Sequence, residues 1–320
     1  MMRAERDNDS MVSVESLNVS QDMIRLIVDA VFPKRNIDSM RVLEGGKTNS
    51  NILVQIEGYD DTFVLRQYRR GSEVCRKEQA ILKALQGKLP VPQLIASFSS
   101  EDEAGVPYLI YRYVPGQTFR EIREVGSPRD MAEAASAIGG RLSVLAKSDA
   151  FPLSEDGHFR YAFALSDIDS PLMHERLHGD DWNLLKALYE RHGAMLQELS
   201  SHQGIRHGDF NHGNVVLQQR TGTWEVAAIL DWELAGTGSS LWDVARFTCY
   251  EKEDSRLWED AFFKGVRKSS EKVPSDWREL LHALNIFSAA KSLGDPSVRP
   301  TFVSDLRRLV HEGLRGKRIG

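Results

Sequence analysis

Apolar positions recur along this chain in two rhythms, and the change of rhythm divides it. Over 21–32 they fall at helical spacing (Met23, Ile24, Ile27, Val28, Val31), with Ser20 as N-cap and Pro33 closing the helix. From 41 to 114 the rhythm shortens. Runs at 41–44, 52–56 and 62–67 predict three strands, the last two joined by a turn at 58–61. Runs at 94–96 and 107–114 predict two more. One helix interrupts them at 73–85, with Ser72 as its cap and Ile81, Leu82 and Leu85 turned inward. Pro115-Gly116 ends the last strand.

Beyond Pro115 the spacing becomes helical. It predicts helices over 128–147, 182–199, 241–250, 255–266, 275–292 and 300–314, with Asp180 or Asp181 capping the second. The intervening 151–179 shows no period and predicts a long irregular connection. Its acids Glu155, Asp156, Asp167 and Asp169 read as a solvated loop rather than as a surface for an amine-bearing substrate. The expected organisation is a flexible 1–19, an α+β lobe at 20–114 holding a five-stranded antiparallel sheet plus helix, and a mainly helical lobe at 115–320.

Composition narrows the class. A chain of 320 residues with 41% apolar and 27% charged residues is ordinary for a soluble globule of one large domain or two. A net charge of −5 argues against nucleic acid as a partner. The first twenty residues have no apolar core and do not read as a secretory signal. No apolar run approaches membrane-spanning length, so no membrane partner is expected. Cys75 and Cys249 lie far apart without metal-ligand spacing and read as two free thiols of a reducing cytoplasm.

The candidate chemistry concentrates at 205–214. His207, Asp209 and Asn214 stand as His-x-Asp, four residues, then Asn. Apolar runs at 215–217 and 226–230 follow, joined by a polar turn at 219–223, and predict a hairpin. Asn214 enters the first strand and Asp231 leaves the second, so both reach one edge, and Asp209 lies on the loop feeding it. Two carboxylates and an amide oxygen facing one volume suit Mg²⁺, which keeps waters and shares substrate phosphates. Phosphoryl transfer uses such a site, with an Asp orienting the attacking hydroxyl and accepting its proton. Asp209 is the predicted catalytic residue, and Asn214 and Asp231 are the predicted metal ligands. His207 is expected to buttress the loop rather than carry protons. His212 either lines the acceptor pocket or lies on the surface. Glu233 is placed to contact the acceptor or the groups around the metal.

His207-Gly208-Asp209, Gly213-Asn214, Leu230-Asp231-Trp232-Glu233 and Leu241-Trp242-Asp243-Val244-Ala245 together resemble the aminoglycoside phosphotransferase and choline kinase-like family. The resemblance implies the bilobal protein-kinase-like fold. It also implies an ATP- and Mg²⁺-dependent kinase acting on a small-molecule hydroxyl, with GTP as the alternative donor. An aminoglycoside-like antibiotic, an amino alcohol, an amino acid or a sugar would be the acceptor. It places Thr48, Asn49 and Ser50 over the nucleotide phosphates, Arg66 and Glu78 as the strand cation and helix carboxylate that hold them, and adenine against the main chain of Arg112, Tyr113 and Val114. Arg66 departs from the usual Lys, and Lys47 is the alternative phosphate cation. Asp243 is expected to hold the catalytic-loop backbone. Only eleven residues separate Asp231 from Asp243, too few for a protein-kinase activation segment. A catalytically weak nucleotide-binding module and a protein kinase are the competing readings. A cytoplasmic monomer or homodimer is expected.

Overall fold

The structure, a computed structural model, describes residues 21–43, 49–98, 106–147, 163–202, 204–249, 255–267 and 277–316. The expected flexible segment 1–19, Lys47, Thr48, Glu155 and Asp156 lie outside the described residues. The chain forms two compact units, Met1–Val114 and Pro115–Gly320.

The first unit runs α1 (Gln21–Val31), β1 (Ile37–Leu43), β2 (Ser50–Ile56), β3 (Thr62–Gln67), α2 (Ser72–Leu85), β4 (Leu94–Phe98) and β5 (Tyr108–Arg112). The strands form one antiparallel sheet in the order β1-β2-β3-β5-β4. Alternation along each strand sorts the side chains to two faces. Ile52, Val54 and Ile56 of β2, Phe63 and Leu65 of β3, and Tyr108 and Ile110 of β5 share a buried cluster with Ile24, Ile27 and Val28 of α1. Burying each such side chain is worth roughly 1.5–3 kcal/mol, so α1 is held by its apolar stripe. Arg66 points to the other face, where α2 lies. Ser72 is the first residue of α2 rather than its cap; Gly71 occupies the N-cap without a side-chain bond.

The second unit opens with β6 (Gln117–Thr118), α3 (Phe119–Val125) and α4 (Pro128–Lys147). The helical rhythm does not reveal α3, because seven residues are too few for a period to stand out. Its start is nevertheless written in the sequence as a capping box: Thr118 Oγ1 accepts from Glu121 N–H while Glu121 accepts from Thr118 N–H. The 163–179 part of the expected irregular connection also contains structure, a 3₁₀ turn at Leu165–Asp167 and α5 (Pro171–Arg176). Ser170 caps α5 by accepting from Met173 N–H, and Pro171 stands where its missing N–H costs nothing.

Then follow α6 (Asp181–Ser201), β7 (Ile205–Arg206), β8 (Val215–Arg220), β9 (Thr223–Ile229), β10 (Gly236–Thr237), α7 (Leu241–Thr248), α8 (Ser255–Arg267), α9 (Trp277–Gly294) and α10 (Pro300–Leu314). Asp181 does not cap α6. It is wholly buried, and its carboxylate takes hydrogen bonds from Arg315 and from His311 of α10 at 3.0 Å, pinning the last helix to the start of α6. Burial alone would raise its pKa, but these bonds outweigh that and hold the carboxyl below its usual range. Gly139 on α4 and Gly265 on α8 let those helices approach backbone to backbone, since a Cβ on either would meet a carbonyl of the other. Among the described residues no helix is long and apolar enough to cross a membrane.

Candidate active site

The stretch from His207 to Asn214 has no regular structure of its own, so its shape is imposed from outside. Its entry is fixed by β7, which pairs antiparallel with β10. Its exit becomes β8, which pairs with β9 through the tight turn Thr221-Gly222, both at positive φ. Leu230 N–H donates to Asn214 O at 2.8 Å, which carries the pairing one step beyond the strands. Leu230 therefore stands opposite Asn214, and Asp231 follows one residue beyond it at the same edge of the hairpin.

Asp243, in the first turn of α7 and 1% exposed, secures the loop's main chain. Its two carboxylate oxygens accept from His207 N–H at 2.7 Å and Gly208 N–H at 2.9 Å. Burial pushes this carboxyl above its usual range, with Arg206, His207 and the two amides pulling the other way. Gly208 is at φ 90°, and a Cβ there would meet the Leu234 carbonyl, so the His-Gly-Asp order is a backbone requirement. The His207 ring is fully buried. Its Nδ1 accepts from Asp209 N–H at 3.2 Å and its Nε2–H donates to Leu230 O at 2.9 Å, tying the loop to the end of β9. It acts as a strut, as its position in the motif suggests.

His212 does not lie on the surface. It is 5% exposed within a ring cluster of Phe119, Phe247 and Trp258. Its Nε2–H donates to Phe247 O at 2.9 Å and Nδ1 accepts from Arg123 at 2.9 Å. A polar loop residue gave no sign of this; the aromatic walls come from α3, α7 and α8, remote in sequence.

Asn214 and Asp209 are brought into contact. Asn214 Nδ2 donates to Asp209 O at 2.9 Å and to Asp209 Oδ2 at 3.3 Å. With its NH₂ used in this way, the amide's Oδ1 remains as an oxygen ligand, the donor type that magnesium prefers. Asp231 sits in the left-handed region at φ 64°, a conformation that Asp tolerates better than most residues. It is anchored by the fully buried Trp232, whose indole lies 4.5 Å from the His207 ring and donates to Ile229 O at 2.9 Å. Among the described residues no three His, Cys, Asp or Glu side chains cluster to bind a metal. One amide and one carboxylate fit only a cation that takes its other ligands from water and phosphate, as magnesium does.

One member of the site escaped the motif reading. Arg246 of α7 reaches Asp209 Oδ1 with Nη2 at 3.2 Å and Nε at 3.3 Å. The signal was present: Arg246 is three residues after Asp243, hence on the same helical face, and Asp243 was already expected to reach this loop.

The profile of the APH phosphotransferase enzyme family matches residues 39–280. This chain belongs to that family. Among curated proteins, acyl-CoA dehydrogenase family member 11 of Homo sapiens is 26% identical over 214 residues, covering 64% of this chain. The Gallus gallus protein of the same name is 25% identical over 242 residues, covering 68%. These matches span only 27% and 29% of the relatives' own lengths. Among solved structures, the GDP complex of aminoglycoside 2′-phosphotransferase-IIIa superposes with a TM-score of 0.69 at 17% identity, covering 93% of this chain and 99% of that one. Choline kinase LicA from Streptococcus pneumoniae gives 0.61 at 13% identity, covering 92% and 98%. These likenesses show the fold, that of aminoglycoside phosphotransferases and choline kinase.

On β3, Arg66 is 5% exposed, and its Nε lies 3.5 Å from Glu78 Oε2 on α2. Tyr68, which the sequence reading passed over, donates to the same oxygen at 2.6 Å. Burial, with Glu78 adding to it, drives the Tyr68 hydroxyl well above its ordinary pKa, so it remains a donor. Asn49 and Ser50 are buried, and both meet Arg69: its N–H reaches Asn49 Oδ1 at 3.4 Å and its Nη2 reaches Ser50 Oγ at 2.9 Å. At the end of β5, Arg112 N–H donates to Gln93 O at 2.9 Å and Tyr113 N–H to Thr62 O at 2.8 Å. The Arg112 side chain turns to Asp61 at 3.0 Å.

Proposed function

We propose that this family member is an ATP- and Mg²⁺-dependent kinase of a small-molecule hydroxyl. The observation that carries the reading is the contact of Asp209 with Asn214 at the end of a hairpin whose other strand leads into Asp231. The acceptor hydroxyl rests on the Asp209 carboxylate. Its oxygen bonds to the γ-phosphorus, the bond to the β–γ bridging oxygen breaks, ADP leaves, and the hydroxyl proton passes to Asp209 and on to water. Asn214 Oδ1 and the Asp231 carboxylate would hold magnesium, which neutralises phosphate charge when bound.

In the first unit, Arg66 supplies the phosphate cation in place of Lys. Glu78 and Tyr68 hold its side chain, so it acts as a fixed charge. Thr48, Asn49 and Ser50 cover the phosphates. Adenine pairs with the main chain at Arg112–Val114; since the first two N–H groups are engaged in the sheet, we assign the donor to Val114.

A small acceptor is favoured over a peptide because the Asp231–Asp243 interval leaves no platform for one. The decisive experiment is Asp209→Ala assayed for ADP release and for Mg·ATP binding. Turnover should fall about 10²- to 10⁴-fold while nucleotide affinity is retained. Wild-type turnover in this variant would sink the assignment, and binding without turnover in the wild-type protein would indicate a nucleotide-binding module instead.

A further inference from the structure

The two oxygens of Asp209 are treated differently. Oδ1 receives both Nε and Nη2 of Arg246, at 3.3 and 3.2 Å. Among the described residues Oδ2 receives only Asn214 Nδ2, at 3.3 Å. A carboxylate oxygen offers about two lone-pair directions. Among the described residues those of Oδ1 are filled, and one on Oδ2 is left.

We propose that Arg246 is a positioning residue that saturates Oδ1 of Asp209 and thereby presents Oδ2, beside Asn214, to the acceptor hydroxyl. This rests on the phosphotransferase reading of Asp209. The terminal torsion of an Asp side chain is broad and roughly two-fold, so an untethered carboxylate swings. A planar guanidinium that is charged at any relevant pH stops that rotation. The same helix thus sets both parts of the loop: Asp243 fixes its main chain and Arg246, one turn later, fixes its reacting side chain. The Arg246 and Asp209 side chains are 42% and 29% exposed, so their attraction is screened and adds little to folding. What the contact supplies is orientation. A guanidinium in this place could instead be a plug that the acceptor must displace, and the two roles give opposite signs on removal.

The test uses the full chain with Mg·ATP and water as acceptor, followed as ADP release. Arg246→Ala should lower kcat about 10- to 100-fold with KM for ATP within about twofold, the scale expected when a reacting group is misplaced. Arg246→Lys should recover part of the rate, since an ammonium keeps the charge without the fork. Added guanidinium ion should rescue the Ala variant. In an Asp209→Asn background, Arg246→Ala should cause no further loss. Unchanged or faster turnover in Arg246→Ala, equal losses in both backgrounds, or no guanidinium rescue would overturn the proposal. Wild-type turnover in Asp209→Asn alone would instead overturn the parent reading. Should the wild-type protein release no ADP to water, the ¹³C carboxyl signal of Asp209, assigned by its loss in Asp209→Asn, decides: it should shift or broaden in Arg246→Ala, and an identical line overturns the proposal.

Discussion

Each unit contains an arginine paired with a carboxylate, and the two pairs differ in burial. Arg66 and Glu78 have side chains 7% and 3% exposed, with Nε to Oε2 at 3.5 Å, an ion contact rather than a well-formed hydrogen bond. Arg246 and Asp209 make shorter contacts at 3.2–3.3 Å but stand 42% and 29% exposed. Distance alone would rank the second pair as stronger. Solvent reverses the ranking of what depends on each: removing one partner of a buried pair strands a charge, whereas an exposed partner is simply hydrated. The buried pair therefore belongs to the fold, whereas the exposed pair adds little to stability, and any role it has must lie elsewhere.

That contrast can be broken by substitution. Arg66→Ala should cost about 3–5 kcal/mol by removing the cation beside the buried Glu78 carboxylate, read as a lowered denaturant midpoint. A cost below about 1 kcal/mol would mean that Glu78 is satisfied by its remaining partners, Tyr68 among them. Asp243→Ala should cost about 3 kcal/mol, because two loop amides lose their acceptor inside the protein. It should reduce turnover at the same time, whereas Arg66→Lys should spare most of the stability. Arg246→Ala should shift the midpoint by less than about 1 kcal/mol, whatever it does to the rate. The smallest effect concerns Asp181, whose carboxyl is held below its ordinary value near 3.8. A depressed carboxylate stabilises the fold above its unfolded pKa and loses that contribution as pH falls through the folded one. Melting temperature should drop on the acid side of pH 3.8 more steeply in wild type than in Asp181→Asn, and parallel curves would show that the α6–α10 clasp carries no net stability.

The free thiols belong to the same contrast. Both cysteines are buried, and burial with the nearby Glu78 pushes Cys75 up to about 12, so it stays an unreactive thiol beside the buried pair.

Much of the fold was legible because it is periodic. The helix at 128–147 and the one at 300–314 have the bounds that their apolar spacing predicts, and the sheet strands fall where β-branched runs lie between turns. Short elements were not: α3 and α5 last less than two turns and announce themselves only through Thr118, Glu121 and Ser170. Within the site, the hairpin arithmetic that brought Asn214 and Asp231 to one edge needed only two runs and a turn. Arg246, Tyr68 and the burial of His212 needed more, since each depends on what a distant element presents.

Local sequence determined which residue types stand at which spacing: the His-x-Asp loop, the amide and the carboxylate at the ends of one hairpin, and the short interval to Asp243. Those follow from backbone geometry over a few residues. Only the tertiary structure decided which side chains become partners, that α7 supplies both the brace of the loop and the guanidinium on the Asp209 carboxylate, and that Asp181 serves the last helix rather than its own. Such pairings join positions 35 to 134 residues apart, and burial, which no short stretch of chain specifies, sets what each one is worth.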